Sequence, residues 1–233
     1  MLISQRLKAV AESVTVGNRV ADVGCDHAYI SIYLIENNIS PFVIAMDVNK
    51  GPLERAKTNI AQRGYSNHID VRLSDGLHKM KAGEADTILI AGMGGALTMK
   101  ILEEGAEAVK KSKELVLQAQ SELHLVRKYI HQIGFHIRNE QMLKEDGKYY
   151  VIIKAVPSEK TEQYEREVFY QYGKLLLEQR DPLVRDYLAK EKRLRLQVLD
   201  QLAENPSEQT KERQKEIEQE LDYIEEGFAY FNG

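Results

Sequence analysis

Over the first two thirds of the chain, short runs dense in Val, Ile and Leu alternate with longer stretches whose apolar residues recur at helical spacing. The runs at 19–24, 42–47, 69–75, 85–92 and 114–120 are rich in Val, Ile and Leu, and are expected to be strands buried on both faces of a sheet. Between them the helical period predicts helices over 28–37, 50–64, 94–110 and 122–133, and an amphipathic helix precedes the first strand. Strand and helix alternating at this spacing imply βαβ units and a mainly parallel sheet. Two further runs, 135–144 and 149–156, flank Glu145-Asp146-Gly147-Lys148. The Asp-Gly pair is a tight-turn signal, so these runs are expected to form an antiparallel hairpin at one end of the sheet. The expected fold class is α/β.

The pattern changes near Val156-Pro157-Ser158, which sets the expected domains at 1–157 and 158–233. The second stretch is rich in Glu, Lys, Gln, Arg and Leu, all good helix formers. Leu183, Val184, Tyr187 and Leu188 fall at helical spacing, as do Leu199 and Leu202, then Ile217, Leu221 and Ile224 after the Asn205-Pro206-Ser207 break. This predicts an antiparallel helical hairpin, coiled-coil-like without sustained heptads. Ser207 is the expected cap of its last helix.

Candidate chemistry collects where the first four strands end. The first ends in Asp22-Val23-Gly24-Cys25-Asp26-His27-Ala28. A dinucleotide cradle would want glycines at 24, 26 and 29, but the chain has Gly24, Asp26 and Tyr29. A pyrophosphate there would meet the negative charge of Asp26. The same residues suit S-adenosylmethionine, which lacks phosphate and carries an ammonium and a sulfonium; an ordinary strand-to-helix turn needing Gly24 is the plainer alternative. Asp47 ends the second run, 25 residues after Asp22, where an acid can accept both ribose hydroxyls of an adenosyl group; its alternative is a helix cap. Ser74-Asp75-Gly76 ends the third run, with Asp75 as acceptor for an adenine amine and Gly76 giving room for the ring, or else a plain turn. Ile90-Ala91-Gly92-Met93-Gly94-Gly95 ends the fourth, where three glycines let ligands approach the backbone, or else make a loose loop. Open α/β sheets bind ligands in a crevice at these strand ends.

Composition narrows the classes. With 43% hydrophobic residues in 233, the chain can bury a real core. Its lone cysteine, Cys25, excludes an internal disulfide framework or a multi-cysteine zinc site. The start has no apolar signal region, and no run approaches the roughly 18 residues of a membrane span, so a cytoplasmic protein without membrane or metal partners is expected. Charge is uneven: residues 1–157 are net +2 and residues 158–233 net −6. RNA binding must therefore rest on local patches, not on a global field. The oligomeric state is left open between monomer and weak dimer.

The segments ADVGCDHAYI, AMDVNKGPL, SDGL and IAGMGG give the chain its resemblance to class I S-adenosylmethionine-dependent methyltransferases, and more narrowly to the bacterial tRNA adenine-22 N1-methyltransferases. The resemblance covers the whole chain. It implies a Rossmann-like methyltransferase sheet in 1–157 with a helical coiled-coil-like domain in 158–233, S-adenosyl-L-methionine as cofactor, and a tRNA substrate methylated on N1 of an adenine in the D-arm region. It implies cofactor contacts at Gly24, Asp26, His27, Asp47, Asp75, Gly76 and Gly92; Asp22, Ala91 and Met93 join them by position. Related N6-adenine enzymes carry an Asn/Asp-Pro-Pro-aromatic loop after the fourth strand, where this chain has Ala91-Gly92-Met93-Gly94. The alternatives are methylation of another RNA, a protein or a small molecule, and a non-catalytic RNA-binding protein that keeps a vestigial methyltransferase fold.

Adenine N1 has a free lone pair, so its methylation needs positioning, water exclusion and tolerance of the cation that forms, and no base. Asp26 and Tyr29 are the catalytic candidates, the first as a carboxylate near the exocyclic amine and the second for stacking or hydrogen bonding. Cys25 is expected to be a packed residue, and His124 and His131 surface residues. Arg6 with Lys8, and Arg127 with Lys128, are candidate phosphate contacts; Lys110, Lys111 and Lys113 read as a solvated face.

Overall fold

The computed structural model describes residues 3–160, 163–204 and 208–232. They divide into two compact units: residues 1–141 with 145–163, and residues 142–144 with 164–233.

The first unit opens with α1 (Gln5–Glu12), whose N-cap Ser4 accepts the Leu7 N–H. Then follow β1 (Val20–Val23), α2 (Tyr29–Glu36), β2 (Val43–Asp47), α3 (Lys50–Gln62), β3 (Ile69–Leu73), β4 (Thr87–Met93), α4 (Gly95–Glu104), α5 (Ala106–Lys111), β5 (Glu114–Ala119), α6 (Leu123–Gln132), β6 (Phe135–Glu145) and β7 (Lys148–Pro157). The sheet order is β3-β2-β1-β4-β5-β7-β6. The pairings from β3 through β5 are parallel, and β7 runs antiparallel to β5. This is the expected mostly parallel sheet with its terminal hairpin. Asp146 and Gly147 both have positive φ, the signature of the tightest two-residue hairpin turn.

Two expectations need correcting. The helix over 94–110 is two helices, α4 and α5, because the chain bends at Gly105, where a β-carbon would stand 2.4 Å from Leu77 Cδ1. And β3 is not buried on both faces: it is an edge strand, and Leu73 is exposed. The central strands β1, β2 and β5 are buried along their whole length, as their unbroken apolar runs require.

From β1 the chain winds outward in one direction to β2 and β3, and returns on the other side to β4 and β5. The switch point lies between β1 and β4, where an open α/β sheet leaves a crevice at its carboxyl edge.

The second unit holds α7 (Glu167–Tyr172), α8 (Lys174–Glu178), α9 (Pro182–Glu204) and α10 (Glu208–Phe228), with a final 3-10 turn, Ala229–Phe231. Gly173, at φ +87°, separates α7 from α8. Asp181 accepts the Leu183 N–H at 2.8 Å ahead of Pro182, a capped start with proline in the first turn. α9 and α10 run antiparallel: Leu188 packs on Gly227, Lys192 pairs with Glu225, and Arg195 with Glu220. Val184, Leu188, Ile217 and Ile224 form the buried seam, whereas Leu194 and Leu196 face solvent, so the heptad pattern lapses there. The expected cap Ser207 lies outside the described residues.

Among the described residues no helix is long and apolar enough to cross a membrane. Nor do they include a group of three or more His, Cys, Asp or Glu side chains placed to hold a metal ion.

Candidate active site

A cleft of about 460 Å³ opens at the carboxyl ends of β1 to β4. Asp22, Gly24, Asp26, Tyr29, Asp47, Asp75, Gly76, Ala91, Gly92 and Met93 all line it. His27 does not: its ring stacks on Tyr29 at 5.4 Å between centroids.

The turn after β1 is held from several sides. Gly24 and Cys25 donate their N–H groups to Met46 O at 2.8 and 2.9 Å, so the turn rides on the end of β2. Gly24, Asp26 and Ala28 all have positive φ, at +75°, +48° and +61°. For the two non-glycine residues this conformation costs on the order of 1–3 kcal/mol each and persists only when neighbours over-determine it. Here the Asp26 N–H donates to Asp47 Oδ2 at 3.2 Å, the Ala28 N–H to Cys25 O at 2.7 Å, and Asn59 Nδ2 to His27 O at 3.1 Å. The result displays Asp26, with its side chain 65% exposed, and Tyr29 at the cleft mouth.

Asp22 is buried beneath this turn. Its Oδ2 accepts the Ser31 hydroxyl at 2.6 Å. Burial pushes its carboxyl up to about 6, against the hydrogen bond from Ser31. Burial, then the nearby carboxylates of Asp22, Asp47 and Asp26, push the Cys25 thiol far up, so Cys25 is packed and not a thiolate nucleophile. Asp47 also accepts the Asn49 N–H on Oδ1 at 2.8 Å. This bond makes a turn ahead of α3 and reaches no N–H group of the helix itself, so Asp47 is not simply a helix cap; its second oxygen serves the turn after β1.

The glycines after β4 each answer a different need. Gly92, at φ +79°, lies where the β4–β5 register slips between Ala91 and Met93. A β-carbon on Gly95 would stand 2.6 Å from Ser121 O, so the chain after β5 could not pass as it does. Gly94 caps α4 in extended geometry. The segment is a tightly packed corner, not a loose loop.

Other lining residues lay outside the nominated set. Arg6 was nominated with Lys8 as a phosphate contact, but it enters the cleft wall: Nη1 donates to Gln118 Oε1 at 2.7 Å, and the guanidinium lies 5.4 Å from the Tyr150 ring centroid. Lys8 does not line the cleft; it is exposed and pairs with Glu12. Leu97 and Ile101 come from one face of α4, Val48 and Asn49 follow Asp47, and Gln120 follows β5. Gln120 stands at the end of the fifth apolar run, the place that Asp22, Asp47, Asp75 and Gly92 hold near the ends of the first four.

Two surface assignments are corrected. Arg127 is buried, with its side chain 1% exposed, and pairs with the equally buried Glu140 at 2.7 Å. It is no phosphate contact. His131, one helical turn further along α6, is buried too. Glu140 on β6 reaches Arg127 there, and α4 packs against α6.

The lining carries four carboxylates, Asp22, Asp26, Asp47 and Asp75, and one cation, Arg6. A pyrophosphate would be repelled there, and a cationic cofactor would be welcome. Residues 3–153 match the methyltransferase domain family. The tRNA (adenine(22)-N(1))-methyltransferase of Bacillus subtilis is 37% identical over 163 residues, which is 70% of this chain and 68% of that protein. The chain belongs to the tRNA (adenine(22)-N(1))-methyltransferase family. Family likeness extends through the second unit. The crystal structure of the B. subtilis m1A22 tRNA methyltransferase TrmK has a TM-score of 0.89 and 30% identity, covering 97% of this chain and 98% of that one. Streptococcus pneumoniae Sp1610 in complex with S-adenosyl-L-methionine has a TM-score of 0.84 and 30% identity, covering 97% and 99%.

Proposed function

We propose that this protein, acting in the cytoplasm, transfers a methyl group from S-adenosylmethionine to N1 of adenine 22, in the D-arm region of tRNA. The observation that carries the reading is the cleft's charge: four carboxylates and one guanidinium at the switch point of the sheet. The residues fit the cofactor's own charges, a sulfonium and an ammonium against one carboxylate. They also leave a glycine corner where an N6-directed enzyme carries an Asn/Asp-Pro-Pro-aromatic loop. When bound, the cofactor supplies a methyl carbon on a sulfonium, which leaves as a neutral thioether as the N1 lone pair forms its bond to that carbon.

The protein's residues hold and orient. Asp47, which keeps lone pairs on both oxygens, takes the ribose hydroxyls. Asp75 takes the cofactor's adenine amine, with Gly76 beside it. Asp22 faces the ammonium, and Arg6 is the one cation of the lining able to meet the carboxylate. Tyr29, propped by His27, gives the target base a face to lie on. Asp26 lowers the energy of the positive charge that spreads over the adenine as N1 is methylated. No side chain is asked to remove a proton from N1.

Incubation of unmodified tRNA with the protein and S-adenosylmethionine, followed by nucleoside mass spectrometry, tests the reading. 1-Methyladenosine is the expected product. Cofactor binding without any methylated nucleoside overturns it.

A further inference from the structure

The chain leaving β5 carries Gln118, Gln120, Ser121 and Glu122 past the glycine corner, and three of these four side chains are hydrogen-bonded within the protein. Gln118 is buried; its Oε1 accepts from Arg6 at 2.7 Å and its Nε2 donates to Ala119 O at 3.2 Å. Ser121 Oγ accepts the Gly95 N–H at 3.2 Å, and Glu122 Oε2 accepts the Ala96 N–H at 2.9 Å, closing the start of α4. Gln120 differs. Its backbone is pinned, donating to Met93 O at 2.8 Å, but its exposed carboxamide has no hydrogen-bond partner among the described residues. That carboxamide lines the cleft over Gly92. From the point a β-carbon on Gly92 would occupy, Gln120 Nε2 is 3.9 Å away and Arg6 Nη1 3.5 Å. Since Arg6 is held by Gln118 and Tyr150, it does not consume the carboxamide.

A reaction at N1 constrains how the base can be read. The reacting nitrogen must stay open toward the methyl group, so recognition falls to N7 and to the N7-side hydrogen of the exocyclic amine. That edge shows one acceptor beside one donor. A carboxamide matches it with its N–H on N7 and its oxygen on the amine, the familiar pairing of Gln or Asn with adenine. Guanine shows two acceptors on the same edge and cannot accept both bonds from one carboxamide in that register. The amine also takes up positive charge as N1 is methylated, so the bond to the Gln120 oxygen strengthens toward the transition state. The other amine hydrogen, on the N1 side, is left to Asp26 or to backbone carbonyls of the glycine corner.

We propose that Gln120 is the residue that specifies adenine, reading N7 and the exocyclic amine of the target base. This rests on the function proposed above.

The test pairs the full-length protein with tRNA carrying adenine or 7-deazaadenine at the target position. The deaza base keeps N1 and the amine and lacks the N7 acceptor. The parent protein is expected to lose roughly ten- to a hundredfold in single-turnover rate at subsaturating tRNA on the deaza base. Gln120→Ala is expected to be slower on adenine by a similar factor and to lose little more on 7-deazaadenine. Gln120→Glu, which keeps an acceptor for the amine and lacks the donor, is also expected to be insensitive to the deaza substitution. All three proteins should bind S-adenosylmethionine alike by calorimetry, which also reports that the variants are folded. If Gln120→Ala suffers the same loss as the parent on the deaza base, or if it weakens cofactor binding, the inference is overturned while the function stands. A parent protein that binds the cofactor and makes no 1-methyladenosine overturns the proposed function, and this inference with it.

Discussion

The Asp47 carboxylate joins two strand ends: Oδ2 accepts the Asp26 N–H at 3.2 Å while Oδ1 accepts the Asn49 N–H at 2.8 Å. Asp47→Ala removes both anchors and the proposed ribose acceptor. A hydrogen bond to a charged group contributes about 1.5–3 kcal/mol, so S-adenosylmethionine affinity should fall roughly ten- to a hundredfold. Asp47→Asn, which keeps one acceptor oxygen, should fall less. Calorimetry with the cofactor reads both, and an unchanged dissociation constant in folded Asp47→Ala contradicts the assignment.

Asp22 ties stability to pH in the direction opposite to a salt-bridged acid. Its folded value of about 6 lies above the ordinary 3.8, mainly because burial disfavours the charged form. The folded state therefore holds the proton more tightly than the unfolded chain does. Stability is fully present below pH 3.8 and is lost as pH rises toward about 6, by up to about 3 kcal/mol. Asp22→Asn removes this dependence. Its unfolding free energy relative to the parent should rise between pH 4 and 6.5 and then level off. Its affinity for the cofactor should drop at pH 7.5. Denaturant titrations at several pH values measure the first effect; a constant difference across that range argues against the buried, ionising Asp22.

Arg6 and Lys8 lie two residues apart on α1 and have different surroundings. Arg6 is fixed in the cleft wall by Gln118 and Tyr150, while Lys8 is exposed beside Glu12. Arg6→Ala should weaken cofactor binding several-fold, because the cleft loses its cation. Lys8→Ala should leave cofactor binding unchanged, and any effect it has on tRNA binding should shrink with added salt. Equal cofactor affinity in parent and Arg6→Ala would return Arg6 to the role of a phosphate contact.

The Arg127–Glu140 pair is structural. Removing one partner of a buried pair strands the other charge and costs about 3–5 kcal/mol. Arg127→Ala should lower the denaturation midpoint by a corresponding amount, with no change in salt dependence of tRNA binding by the protein that remains folded. A stable Arg127→Ala protein with weakened tRNA binding would place Arg127 at the RNA surface after all.

The parallel sheet was legible because β1, β2, β4 and β5 are dense apolar runs separated by helical stretches, and their ends carry Asp22, Asp47 and the Gly92 corner in plain sequence. β3 differs from these: in Ile69-Asp70-Val71-Arg72-Leu73 charged residues alternate with apolar ones, the period-two pattern of a strand with one exposed face, so its edge position was legible too. The break at Gly105 was hidden because its cause, the side chain of Leu77, is remote in sequence. Arg127 misled because charge predicts exposure until a partner is enclosed with it, and Glu140 lies on another element; His131 follows one turn later on the same buried side of α6. Arg6 enters the cleft through contacts with Gln118 and Tyr150, more than a hundred residues away, which no local pattern shows.

The most direct measurement of the central claim is positional. A tRNA transcript with adenine at position 22 and one with guanine there are each incubated with the protein and S-adenosylmethionine, and the methyl group is mapped by nuclease digestion and mass spectrometry. The account predicts one 1-methyladenosine at position 22 of the first transcript and no methylation of the second. Methylation of both at another residue, or of neither while the cofactor binds, would contradict it.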